Sequence, residues 1–176
     1  FAAYYAWKRQ YRPLAAFLGF RALSEFICAM VLSSSGQGCY AWAWYAQSLV
    51  QYILFSWAVV WIVAGLLREN AHTLRFYSVA FVSTTVLAIV FFHVHSLTMT
   101  NVLHFSAAVY FFLGIFTAMA LLMRKDERFV WYGIAALILC CSNGILAAIQ
   151  AAHWKVVGYY PIGEIAALGL WAWQLR

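Results

Sequence analysis

Long apolar blocks alternate with short polar gaps along the chain. The blocks cover roughly residues 13–33, 40–66, 75–93, 101–123, 129–152 and 161–175, and residues 1–7 read as the end of an earlier helix. A helix of about 20 apolar residues is long enough to cross the hydrocarbon core of a bilayer. The pattern therefore predicts an all-α polytopic transmembrane helical bundle, with six full spans plus a partial N-terminal helix, which is a seven-helix type.

The gaps differ in charge, and this difference predicts which side each one occupies. Alternate gaps hold nine of the eleven basic residues: Lys8, Arg9, Arg12, Arg68, Arg75, Arg124, Lys125, Arg128 and Arg176. Of the other two, Lys155 lies in an opposite gap and Arg21 within a span. Because basic loops stay in the cytoplasm, we expect a cytoplasmic C-terminus, an outer N-terminus and a location in the bacterial cytoplasmic membrane.

Composition supports a membrane protein with one domain, residues 1–176. Hydrophobic residues make up 66% of the chain and charged residues 9%, with a mean hydropathy of +0.82. Soluble domains are about 45–50% apolar and about 25% charged, so a soluble core is excluded. The loops account for the net charge of +6. Membrane lipids and other integral membrane subunits are the expected partners, and nucleic acid is not. No signal peptide is recognisable after Phe1, and we expect further chain upstream.

Polar side chains inside the apolar blocks form the first candidate site. Ionisable groups at membrane depth are costly and usually functional. Arg21 and Glu25 are four residues apart, so they can pair on one helix face. In the predicted topology most such groups fall in the outer half of the bundle, which suggests a ligand pocket open to the outside. The candidate ligand-binding residues are Arg21, Glu25, Gln47, Gln51, Asn143, Gln150 and Glu164. The alternative is structural: a buried ion pair, with amides that join helices at about 1 kcal/mol each.

Histidines form a second candidate site, for a metal or a tetrapyrrole. His104 lies about one turn into the block 101–123, and His93 and His153 lie near the outer face. One or two axial histidines suffice to hold haem iron, and an imidazole can equally ligate the magnesium of a chlorophyll. The aromatic-rich lipid face could pack against a carotenoid or a quinone, so haem, chlorophyll, a carotenoid and a quinone are the candidate cofactors, beside bound lipid. Histidines at a membrane interface are also common for their amphipathic character alone.

Small residues recur at four-residue spacing near the end of the chain. Gly144 and Ala148 repeat in this way within 129–152, and Gly163 and Ala167 do so within 161–175. Such spacing lets helix backbones approach closely in a membrane. It predicts that the last two helices form a tight pair.

Several enzyme classes are excluded by missing residues. The chain has no HExxH, GxSxG or P-loop motif, and no span contains the lysine that a retinal protein needs. Asp126, the sole aspartate, falls in a loop, which excludes intramembrane aspartyl proteolysis. We therefore expect a protein that is not an enzyme.

Three stretches carry a resemblance to a known group. They are the basic segment 8–18 with Pro13-Leu14, the aromatic run 40–45, and the tryptophan-rich run 170–173. The chain resembles uncharacterised heptahelical integral membrane proteins of acidobacterial type. The resemblance implies a seven-helix fold and no particular activity.

The leading hypothesis is a non-enzymatic integral membrane protein. It is either a subunit of a larger membrane complex or a small-ligand binding module with an outward-facing polar pocket. One alternative is a haem-, pigment- or quinone-binding redox or photosynthetic subunit that uses His104. The other is a transmembrane sensor module.

Overall fold

The computed structural model describes Ala3, Ala6 and residues 11–67, 99–152 and 161–175. These residues form four α-helices, namely α1 (Arg12–Leu67), α2 (Met99–Leu122), α3 (Val130–Ala151) and α4 (Pro161–Leu175). A 3-10 turn, Glu127–Phe129, lies between α2 and α3. Within these ranges there is no strand, so the all-α prediction is confirmed for this part of the chain.

Helix α1 reverses direction along its length. As a straight helix its 56 residues would extend about 84 Å. Instead, the ring centroids of Phe17 and Phe55 lie 5.1 Å apart, and Cys28 Sγ donates to Gln47 Oε1 at 3.1 Å. In both pairs the sequence position halfway between the two residues falls between 36 and 38. Two contacts with the same halfway position are expected when the chain folds back on itself as two antiparallel arms. The first arm is Arg12–Val31 and the second is Ala46–Leu67.

The structure corrects the predicted state of segment 33–38 but agrees with the predicted place at which the chain turns back. The polar segment 33–38 was expected to separate two helices, 13–33 and 40–66, but it is helical in the structure. The segment contains no proline, and Ser33 Oγ donates back to Met30 O at 2.8 Å, a bond that a serine can make without leaving a helix. The position of the reversal agrees with the sequence, because Gly36 and Gly38 lie at its centre and give the backbone its greatest freedom.

Four segments of the described residues are long and apolar enough to cross a membrane: Arg12–Val31, Ala46–Leu67, Leu103–Leu122 and Glu127–Gln150. Helix α4 has 15 residues and is about 22 Å long, less than the roughly 30 Å of a hydrocarbon core. The predicted helix 75–93 and most of 1–7 lie outside the described residues. The structure thus supports an integral membrane protein, but neither six full spans nor the seven-helix count.

The chain divides into two compact units, essentially residues 1–58 and 59–174. In the second unit, α2 and α3 form an antiparallel hairpin through glycine contacts. A Cβ placed on Gly114 would lie 3.3 Å from Cys140 Cβ, and one on Gly144 would lie 3.3 Å from Tyr110 Cβ. Gly144 therefore packs against α2, whereas the sequence pattern had assigned it to the contact with the last helix.

Helices α3 and α4 form the predicted tight pair. A Cβ placed on Gly163 would collide with Ser142, whose Oγ would lie 2.8 Å away. Further along, the buried Trp171 donates its Nε1–H to Tyr132 O at 3.2 Å. Gly163 contacts Ser142, and the later residue Trp171 contacts the earlier residue Tyr132, so the two helices run antiparallel.

One loop joins three helix ends in the second unit. The Leu66 carbonyl, near the end of α1, accepts hydrogen bonds from Lys125 N at 2.7 Å and Asp126 N at 3.1 Å. Such carbonyls have no partner within their own helix. The buried Asp126 carboxylate also accepts from Arg128 N at 3.0 Å and pairs with Arg128 Nη2 at 2.7 Å. The loop therefore ties the end of α1 to the hairpin of α2 and α3.

Replacing Gly163 by alanine tests the contact between α3 and α4. Because the new methyl group would overlap Ser142, we expect the free energy of unfolding to fall by about 1–3 kcal/mol. Gly169→Ala is the matched control on the same helix, since nothing lies within 4 Å of its Cβ position. Unfolding in detergent measures both variants, and equal stability of the two would contradict the close approach.

Replacing Asp126 by alanine tests the loop. This change removes both the cap and the partner of Arg128, and we expect it to lower the free energy of unfolding by about 1–2 kcal/mol. Glu127→Ala is the control, because Glu127 is exposed and makes only a surface pair with Arg124; surface pairs contribute about 0–1 kcal/mol. A larger loss in the control than in Asp126→Ala would show that the loop is held in another way.

Candidate functional site

The seven predicted ligand-binding residues divide between the two units. Arg21, Glu25, Gln47 and Gln51 belong to the first unit, and Asn143, Gln150 and Glu164 belong to the second. Each group is therefore described by itself.

Arg21 and Glu25 form the predicted ion pair on the first arm of α1. Arg21 Nη2 lies 3.3 Å from Glu25 Oε1. The two side chains differ in exposure, since Arg21 is 15% exposed and Glu25 is 57% exposed. The arginine of the pair is therefore largely covered by the unit, whereas the glutamate is largely exposed.

The two glutamines lie on the second arm, in a seam of small polar groups. Gln47 accepts the hydrogen bond from Cys28 Sγ, and Gln51 is buried. On the first arm, the buried Ser24 donates to Arg21 O at 3.0 Å. The sequence prediction missed Ser24 and Cys28, although their four-residue spacing places them on one helix face. The seam joins the two arms, as the structural alternative expects.

Glu25 stands on an otherwise apolar surface. The exposed side chains around this level of the first arm are apolar and include Leu23, Phe26, Ile27 and Met30. In the most apolar stretch of the first arm 33% of the residues are buried, whereas 61% are buried in the corresponding stretch of the second arm. Glu25 follows Arg12 by 13 residues and precedes Val31, the last residue of the first arm, by 6, so it lies about 20 Å along the axis from one end of the arm and about 9 Å from the other. A carboxylate therefore lies within the least covered of the four described spans.

In the second unit, two of the three predicted polar residues, Asn143 and Glu164, lie near one level. Asn143 Nδ2 donates to Leu139 O at 3.1 Å, so this amide bonds to its own helix. Asn143 and Glu164 are chain neighbours of Ser142 and Gly163, which form one of the contacts between α3 and α4. Glu164 lies in the first turn of α4, where the helix dipole favours a negative charge. Gln150 is half-buried.

The histidine site is described for one residue only. His104 is exposed on α2, whereas His93 and His153 lie outside the described residues. Within residues 11–67, 99–152 and 161–175, no group of three or more His, Cys, Asp and Glu side chains could hold a metal ion. Cofactor binding through His104 stays a prediction.

Comparisons with protein-family models, with curated proteins and with solved structures found no match. The argument for function therefore rests on the residues of this chain.

The visible absorption spectrum of the protein purified in mild detergent tests the cofactor hypothesis. If His104 is an axial ligand, the protein absorbs in the visible range and His104→Ala shifts or removes the band. A colourless wild-type protein that retains its native lipids, or a band unchanged in the variant, would contradict the hypothesis.

Proposed function

We propose that this protein is a non-enzymatic integral membrane subunit, whose first arm is covered in the membrane by a transmembrane helix of a partner protein. The supporting observation is the more than half-exposed Glu25 side chain within an apolar, sparsely covered span.

The energetic argument compares lipid with protein as the neighbour of Glu25. A charged side chain costs at least about 2.5–3.5 kcal/mol at the bilayer centre and less towards the interface, and acyl chains offer no hydrogen-bond donor at any depth. Arg21 Nη2 lies 3.3 Å from Glu25 Oε1, and 57% of the Glu25 side chain remains exposed beside this ion pair. A partner helix with an arginine, lysine or amide at this depth would supply donors and exclude lipid.

A small-ligand binding module is the alternative that uses the same residues. It needs polar groups that open into a pocket. Instead, Gln51 is buried and Gln47 is bonded to Cys28 across the two arms. These observations favour the subunit over the pocket, because the Gln47 amide joins the two arms and Gln51 is buried.

The proposed orientation places the basic gaps and the C-terminus in the cytoplasm of a bacterium. In the second unit, Leu66 bonds to the loop that holds Arg124, Lys125 and Arg128. Tyr132, six residues after Asp126, donates its hydroxyl to Gln174 O at 3.5 Å. The end of α1, the basic loop and the end of α4 therefore lie at one end of this unit, which supports a common cytoplasmic side under the positive-inside rule.

Photo-crosslinking in native membranes tests the proposed partner. A benzophenone amino acid replaces Phe26, beside Glu25, or Ile115 on α2; both positions are 63% exposed. We expect a discrete protein adduct from position 26 alone, and we expect Glu25→Ala to abolish it. Thermal unfolding of the purified variant should show that the chain still folds, since Glu25 contributes little to packing.

Two results would contradict the proposal. One is a set of adducts that is the same from positions 26 and 115, or only lipid adducts from both. The other is an adduct from position 26 that persists at full yield in Glu25→Ala while the protein remains folded.

A further inference from the structure

A pair of exposed tryptophans lies beside the basic loop of the second unit. The rings of Trp131 and Trp173 meet edge to face, with centroids 5.8 Å apart and an interplanar angle of 90°. They are 45% and 60% exposed. Trp131 follows Arg128 by three residues, which is about one turn. The tryptophan pair and the basic loop therefore lie at the same end of this unit.

The loop combines cationic and apolar exposure. Residues 124–128 hold three basic and two acidic side chains, and both carboxylates are already engaged within the loop, Asp126 by Arg128 and Glu127 by Arg124. Lys125 is exposed, while its backbone is held by the Leu66 carbonyl. Just before the loop, Leu122 is 84% exposed and Met123 is 64% exposed.

We propose that this corner of the protein binds the headgroup of an anionic phospholipid. Lys125 and the 82% exposed Arg128 would meet the phosphate. The tryptophan pair would lie at the level of the glycerol, where indole rings concentrate in membranes. Leu122 would contact the acyl chains.

The rigidity of the loop favours a defined lipid site over general charge attraction. Asp126 binds the Nε and Nη2 edge of the Arg128 guanidinium, which fixes the direction of that cation. The bonds to Leu66 fix the backbone of Lys125. A preorganised site loses less conformational freedom when the ligand binds. The inference is independent of the proposed partner helix, because it concerns the other unit and another surface.

Lipid titration of the delipidated protein in mild detergent tests this site. We compare the affinities for phosphatidylglycerol and phosphatidylcholine with identical acyl chains, using the shift of the thermal unfolding midpoint. We expect tighter binding of phosphatidylglycerol. Lys125→Gln should weaken that binding about fivefold, the equivalent of about 1 kcal/mol for one cation near an anionic headgroup.

Tryptophan variants provide the matched control. Trp131→Ala should weaken phosphatidylglycerol binding, whereas Trp57→Ala should not, although Trp57 is 46% exposed and Trp131 45%. Equal affinity for the two lipids would overturn the proposal, and so would unchanged binding in both Lys125→Gln and Trp131→Ala. If inorganic phosphate alone reproduced the stabilisation, the ligand would be a soluble anion and the lipid assignment would be wrong.

Discussion

Hydrocarbon forms no hydrogen bonds, and this constraint governs every polar group in the spans. Several of the described polar side chains meet it with a bond to their own helix. Ser24 donates to Arg21 O, Ser56 to Tyr52 O, Thr117 to Leu113 O and Asn143 to Leu139 O. These bonds allow polar residues to sit in apolar helices at little cost. Glu25 differs from them, because its ion pair with Arg21 leaves more than half of its side chain uncovered.

The same constraint explains how the helices are connected. A helix end exposes carbonyls that need donors, and the loop after α2 provides two of them for Leu66. Elsewhere the helices approach through small residues, such as Gly163 against Ser142 and Gly114 against Cys140. Close packing is the main attraction available between apolar helices in lipid, so these contacts hold the second unit together.

The sequence predicts the helix positions well because apolar length determines them. The block 101–123 corresponds to Met99–Leu122, the block 129–152 to Val130–Ala151, and the block opened by Pro161 to Pro161–Leu175. The helical state of segment 33–38 was not predicted, since serine and glycine usually mark turns. The role of Asp126 was also missed, because its partners come from Leu66, about 60 residues earlier, and from its own loop.

Which side of each helix packs against its neighbours could not be predicted, for a different reason. Where a helix is apolar on all sides, its hydrophobic pattern does not distinguish a packed face from a lipid face. Gly144 was therefore assigned to the wrong neighbour, and the sequence alone gave no sign that Glu25 is far more exposed than Arg21. The ion pair itself was predictable, because the four-residue spacing determines it.

Accessibility to molecular oxygen at residue 26, in native membranes, tests the central claim most directly. A nitroxide amino acid at this position lies beside Glu25, and the same label at residue 115 provides a lipid-exposed reference. Oxygen concentrates in acyl chains and is excluded from protein interfaces. The account predicts low accessibility at residue 26 and high accessibility at residue 115. High accessibility at both positions would show that lipid covers the exposed side of the first arm, which would contradict the account.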